Sequence, residues 1–217
     1  MNKIKVKYCG LKCLADVHVA IEAQVDAIGL VFVKKSPRFV CVEKAVELAK
    51  SAKDAGVSVV ALFANQPVSE VKSVIQNIGP DVLQFHGAES VEYCEQFGKP
   101  YWKAIPMLET EDYEAYMEQY KTAEAFILDA FGGQQTGGSG EVFTWFKFPP
   151  KYMTKLILAG GIHIGNVVNA ITATGTQFID TSSGIESETG VKSKTKMLDL
   201  MAKINAFSQS PIKQSKQ

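Results

Sequence analysis

The chain has 217 residues, 46% of them hydrophobic, with 23 basic and 23 acidic side chains and a formal charge of zero. That length is enough for one well-buried core, and balanced charge gives no reason to expect nucleic acid or an anionic membrane as partner. No apolar run approaches the roughly 18 residues of a spanning helix, and MNKIKVKYCG lacks the apolar core of a secretion signal, so a cytoplasmic protein is expected.

Strand and helix signals then alternate along the chain. Lys3–Cys9 reads as a strand and Ala15–Ala23 as a helix. Ala27–Val33 (AIGLVFV) is nearly all apolar, the mark of a strand covered on both faces. Val42–Ala55 is helical, Val57–Ala64 a strand, and Ser69–Ile78 a helix stopped by Gly79-Pro80. Asp81–Phe85 is a strand, Ser90–Phe97 a short helix and Tyr101–Ile105 a strand. Thr110–Tyr120 is helical and Ala125–Leu128 is a strand running into Asp129. A glycine-rich loop and a weak helical stretch near Trp145 follow. Lys155–Ala159 is a strand, Gly165–Thr172 a helix, Gln177–Asp180 a strand, and Ser193–Phe207 the last helix. Strands alternating with helices imply a parallel sheet with right-handed crossovers. Eight such units over this length predict a closed (β/α)₈ TIM barrel of the α/β class, spanning 1–207, with a polar tail at 208–217. An open doubly wound sheet is the rival, but no GxGxxG follows the first strand.

The opening strand poses a question. Ile4, Val6 and Tyr8 form one row; Lys3, Lys5, Lys7 and Cys9 form the other, followed at once by Gly10. Either the lysine row lies in solvent and Cys9 is incidental, or Lys7 and Cys9 point into a barrel with Cys9 at the mouth where barrel active sites form. In the second case Lys7, about 7 Å away, would favour a Cys9 thiolate. The other strand ends favour the second case. His86-Gly87, Asp129, Gly160-Gly161 and Ser182-Ser183-Gly184 all collect on the same predicted rim. Arg38, the single arginine among 23 basic residues, sits in the loop KKSPRFV. The cysteines Cys9, Cys13, Cys41 and Cys94 form no CxxC pair, which fits a reducing compartment and gives no zinc-ligand pattern.

Taken together these residues resemble the phosphoribosylanthranilate isomerases. The family's KICG stands here as Lys7-Tyr8-Cys9-Gly10, its SPR as Ser36-Pro37-Arg38, and its QLHG as Gln84-Phe85-His86-Gly87. Its LLD and glycine loop stand as Ile127-Leu128-Asp129 and Gly137-Gly138-Ser139-Gly140. Its LAGG is Leu158-Ala159-Gly160-Gly161, and its DxSSGVE is Asp180 to Glu186. The likeness runs from about Lys5 to Val191; Thr144 stands where the family usually has Asp.

The resemblance implies an Amadori rearrangement of a phosphosugar in tryptophan biosynthesis, without metal or organic cofactor, by a monomer or homodimer. Asp129 would be the general acid, its pKa raised by partial burial. Cys9 would be the general base, on a strand facing that of Asp129 across the barrel. Lys7 would assist Cys9, and Arg38 would grip the anthranilate carboxylate with its planar fork. Gly160, Gly161, Ser182, Ser183 and Gly184 would cradle phosphate. Gly133 and its neighbouring glycines would let the loop after strand six close over substrate. His86 would contact substrate or sit as a structural rim histidine, and Asp180 would stand behind the contacting residues. The alternatives are another phosphosugar-binding barrel enzyme, such as a ribulose-phosphate epimerase or an indole-glycerol-phosphate synthase, and a non-catalytic phosphosugar-binding barrel.

Overall fold

The structure, a computed structural model, describes residues 3–105, 110, 112–129 and 150–209. Eight parallel strands close into a barrel in chain order. They are β1 (Lys5–Cys9), β2 (Ala27–Val31), β3 (Ser58–Phe63), β4 (Val82–Phe85), β5 (Tyr101–Ile105), β6 (Ala125–Asp129), β7 (Leu156–Ala159) and β8 (Phe178–Thr181). β8 returns to pair with β1, setting Lys7 opposite Asp180. Every expected strand is present, with ends moved by two residues or fewer.

The helices are α1 (Leu14–Glu22), α2 (Val42–Asp54), α3 (Val68–Ile78), α4 (Val91–Glu95), α5 (Tyr113–Gln119), α6 (Val167–Thr174) and α7 (Lys194–Gln209). Local chemistry explains their limits. α2 buries Ala45, Leu48, Ala49 and Ala52, a three-four spacing that turns one stripe to the barrel. α3 stops at Gly79, whose φ of +53° is the left-handed end a glycine adopts without strain. Ser90 and Asp112 accept N–H bonds from Tyr93 and Ala115, capping α4 and α5. α6 begins two residues later than expected. His163 N–H donates to Asn166 Oδ1 and Gly165 N–H to His163 Nδ1, so residues 163–166 form a turn that competes with the helix. α7 continues through Ser208 and Gln209, which composition alone reads as tail. The weak helix near Trp145 lies outside the described residues.

One element has no counterpart in the sequence pattern. β9 (Glu186–Glu188) and β10 (Val191–Lys192) pair as a small antiparallel ribbon between β8 and α7. Strands of three and two residues are too short to carry a period.

Apolar side chains fall into two layers. Val60, Val82, Trp102, Ile127 and Ile157 belong to the inner layer, which fills the barrel. The larger layer lies between strands and helices and contains Ile4, Val6 and Tyr8, the row expected to face the helices. Tyr8 donates its hydroxyl to the Met197 carbonyl of α7. Among the described residues no helix is long and apolar enough to cross a membrane.

Candidate active site

The second row of β1 changes character along its length. Lys3 and Lys5 are exposed, whereas Lys7 is wholly buried inside the barrel. Lys7 Nζ donates to Asp180 Oδ2 at 2.8 Å and to Gln84 Oε1 at 2.8 Å. Burial works against the Lys7 charge, but Asp180 and Cys9 outweigh it and raise its pKa. The other Asp180 oxygen, Oδ1, is buried and has no partner among the described residues. Gln84 has given its carbonyl oxygen to Lys7, so its amide donates toward His86 Nδ1, 3.3 Å away.

Cys9 closes β1 and is 6% exposed. Its neighbour across the ladder is Gly29 of β2. A β carbon on Gly29 would stand 2.7 Å from Cys9 Sγ and 2.9 Å from Lys7 Cε, so only glycine leaves room for this pair. The expected thiolate is not what the surroundings favour here. Burial raises the thiol pKa; Lys7 and Lys192 pull it down, Asp180 pushes it up again, and the balance lies above the ordinary cysteine value. Burial is the main cause, and Lys7, paired with Asp180, offsets only part of it.

Gly10 answers the question its position raises. Its φ is +78°, and a β carbon there would lie 2.6 Å from Arg38 Cδ. The glycine lets the Arg38 stem cross the end of β1. Arg38 N–H also bonds to Ser36 Oγ at 3.1 Å, fixing the loop turn. The guanidinium is already forked onto a carboxylate: Nε to Glu186 Oε1 and Nη2 to Glu186 Oε2, both 2.8 Å. Arg38 is thus neither a solvated surface charge nor a fork held open for substrate alone. Of five guanidinium N–H groups, the Nη1 pair and one Nη2 hydrogen have no partner among the described residues.

These groups meet at one cavity of about 460 Å³ on the C-terminal side of the barrel. Cys9, Arg38 and His86 line it, together with Gly160, Gly161, Asp180, Ser182 and Ser183. Gly160 and Gly161 take φ of +83° and +58°, a left-handed turn after β7. Lys7 stands behind Asp180 rather than in the wall. Gly184 is outside the wall too. A β carbon there would come 1.8 Å from the Ile162 carbonyl oxygen, so the turn Ser183–Ile185 packs too closely at this position for any residue but glycine. Asp129 ends β6 opposite Ala159, itself a cavity residue. β6 lies three strands from β1 by the shorter arc, through β7 and β8, one strand short of the diametric position expected for it. Nothing of the Asp129 side chain is described, and Gly133, the other glycines of that loop and Thr144 lie outside the described residues.

Sequence reasoning gave no role to Gln84, Gly29, Glu186 or Lys192. Gly29 had a signal, a lone glycine in an otherwise apolar strand. It also missed a buried pair beneath the His86 loop. Lys103 donates to Gly87 O and, at 3.3 Å, to Glu89 Oε2. Glu89 in turn accepts from Gly87 N at 2.9 Å and Asn65 N at 2.7 Å.

A family model described as N-(5'phosphoribosyl)anthranilate (PRA) isomerase matches residues 6–203. The chain belongs to the PRA isomerase family. The N-(5'-phosphoribosyl)anthranilate isomerase of Cellvibrio japonicus is 42% identical over 197 residues, 91% of each chain. Among solved structures, the phosphoribosyl anthranilate isomerase of Thermotoga maritima superposes with a TM-score of 0.81 at 27% identity, over 94% of this chain and 99% of that one. The Thermus thermophilus isomerase gives 0.75 at 30% identity, over the same shares. The closed eight-stranded barrel read from the sequence is therefore also the fold of these PRA isomerases.

Proposed function

We propose that this chain catalyses the Amadori rearrangement of N-(5-phosphoribosyl)anthranilate to 1-(2-carboxyphenylamino)-1-deoxyribulose 5-phosphate, a step of tryptophan biosynthesis. The observation that carries the reading is the meeting of three recognition needs at one cavity. Cys9 supplies a proton acceptor, Arg38 a carboxylate partner, and the Gly160-Gly161 and Ser182-Ser183 turns a rim for phosphate.

Asp129, at the end of β6, delivers a proton to the furanose oxygen and the ring opens to a Schiff base. Cys9 then removes the proton from C2, and the enolamine tautomerises to the ketone. The substrate nitrogen is the electron sink. A Cys9 pKa above the ordinary range makes the sulfur a stronger base once ionised. The cationic nitrogen of the opened substrate favours that ionisation by proximity. Asp180 Oδ1, buried without a donor at the cavity wall, is placed to accept from a substrate N–H or hydroxyl. His86 stands at the rim of the same cavity.

The test follows the loss of anthranilate fluorescence with purified protein, wild type beside Cys9→Ser and Asp129→Asn. Turnover by the wild type, with each variant binding substrate but slowed about 10²-fold or more, is the expected result. A wild-type chain that binds the substrate and never converts it would leave a phosphosugar-binding barrel instead.

A further inference from the structure

Behind the Arg38 wall of the cavity lies a buried ion pair, Glu186 and Lys192, neither of which lines that cavity. The Glu186 side chain is 4% exposed and that of Lys192 is 1% exposed. The Glu186 carboxylate receives four donors: Arg38 Nε and Nη2, each at 2.8 Å, Lys192 Nζ at 2.7 Å and Gly190 N at 3.1 Å. Lys192 spends its remaining donors on Ser182, at 3.0 Å to the carbonyl and 3.2 Å to Oγ. Ser182 Oγ donates onward to the Cys9 carbonyl at 2.9 Å. The ribbon that carries the pair is seated on the Arg38 loop, since a β carbon on Gly190 would lie 2.6 Å from Pro37 O.

The cluster therefore joins three cavity residues from behind: the guanidinium of Arg38, the phosphate-rim Ser182 and the backbone of Cys9. An arginine stem has several soft torsions, and a fork held by a buried carboxylate loses that freedom before any ligand arrives. Because Glu186 occupies the Nε edge, the orientation of the Nη1 end, which has no partner among the described residues, is set by the protein.

We infer that Glu186 and Lys192 are positioning residues. Glu186 aims the Arg38 guanidinium at the substrate carboxylate, and Lys192 ties that carboxylate grip to the Ser182 phosphate rim. The inference rests on the isomerase reading above, and its test is built so that the two can fail separately. Calorimetric titration with anthranilate probes the carboxylate grip, and titration with inorganic phosphate probes the rim; neither requires turnover. Glu186→Gln keeps shape but loses the charge, and should weaken anthranilate about tenfold while phosphate changes less than twofold. In an Arg38→Lys background the same substitution should add less than twofold, because there is no fork left to aim. Lys192→Met should weaken both probes. In turnover, Glu186→Gln should act mainly on KM, with the smaller part of the change in kcat. Glu186→Asp, which retains charge but is one methylene short, should fall between wild type and Gln, and it serves as the reading variant if Glu186→Gln does not fold. Equal weakening of both probes by Glu186→Gln or by Glu186→Asp, or full multiplication of its effect with Arg38→Lys, would overturn the positioning role. A wild type that binds anthranilate in a Glu186-dependent way but shows no isomerase turnover would sink the reaction and sustain the positioning role.

Discussion

Gly29 stands directly across the β1–β2 ladder from Cys9, and the space its missing side chain leaves is filled by the Cys9 sulfur and the Lys7 stem. A methyl group there would approach Sγ to 2.7 Å. Gly29→Ala should destabilise the fold by about 1–3 kcal/mol through overpacking, and should lower kcat more than KM because the displaced atom is the proposed base. Thermal melts and initial rates check both parts; an alanine variant with wild-type kcat would separate Gly29 from the site.

The buried Lys7–Asp180 pair gives a second expectation. Lys7 is fully buried and the Asp180 side chain is 8% exposed, so either charge alone is stranded in the interior. Lys7→Met should cost about 3–5 kcal/mol, read by denaturant unfolding. Adding Asp180→Asn should recover part of that loss, since the orphaned carboxylate is then neutral. Two single losses that simply add would show that the pair is not coupled.

The pH profile of kcat/KM tests the Cys9 assignment. Burial holds the thiol above its ordinary pKa, so the unprotonated fraction grows as pH rises. The alkaline-going limb should keep climbing past about pH 8.5, where a free thiol is half ionised. Cys9→Ser should remove the limb. A profile already flat by neutral pH would point to a different base.

Glu186 sets an acid limit to stability. Burial by itself would raise its pKa, but Arg38, Lys192 and the Gly190 N–H outweigh burial and lower it from 4.5 to about 2. A carboxylate whose folded pKa is depressed contributes stability that is complete above its unfolded pKa. That contribution is lost as pH falls through the folded value. The melting temperature of the wild type should therefore drop between about pH 4.5 and 2 by more than that of Glu186→Gln measured alongside. Parallel curves for the two proteins would contradict the assignment.

Much of this molecule is legible before folding because its signals are local. Continuous apolar runs such as Ala27–Val31, the stripe of α2 and the Gly79 stop depend on neighbours a few residues apart. They were enough for the strand–helix alternation and the closed barrel. Knowing that barrel active sites open at the strand C-termini then gathered Cys9, His86, Asp129, Gly160 and Ser182 on one rim. The partners of the charges are another matter. Lys7 meets Asp180 across 173 positions and Arg38 meets Glu186 across 148. No periodicity encodes such pairs; only closure of β8 onto β1 and the seating of the β9–β10 ribbon decide them. The state of Cys9 is decided at the same level. Spacing along β1 puts a lysine near the thiol, but burial depth and the competing Asp180 carboxylate, both consequences of the closed barrel, turn its pKa upward.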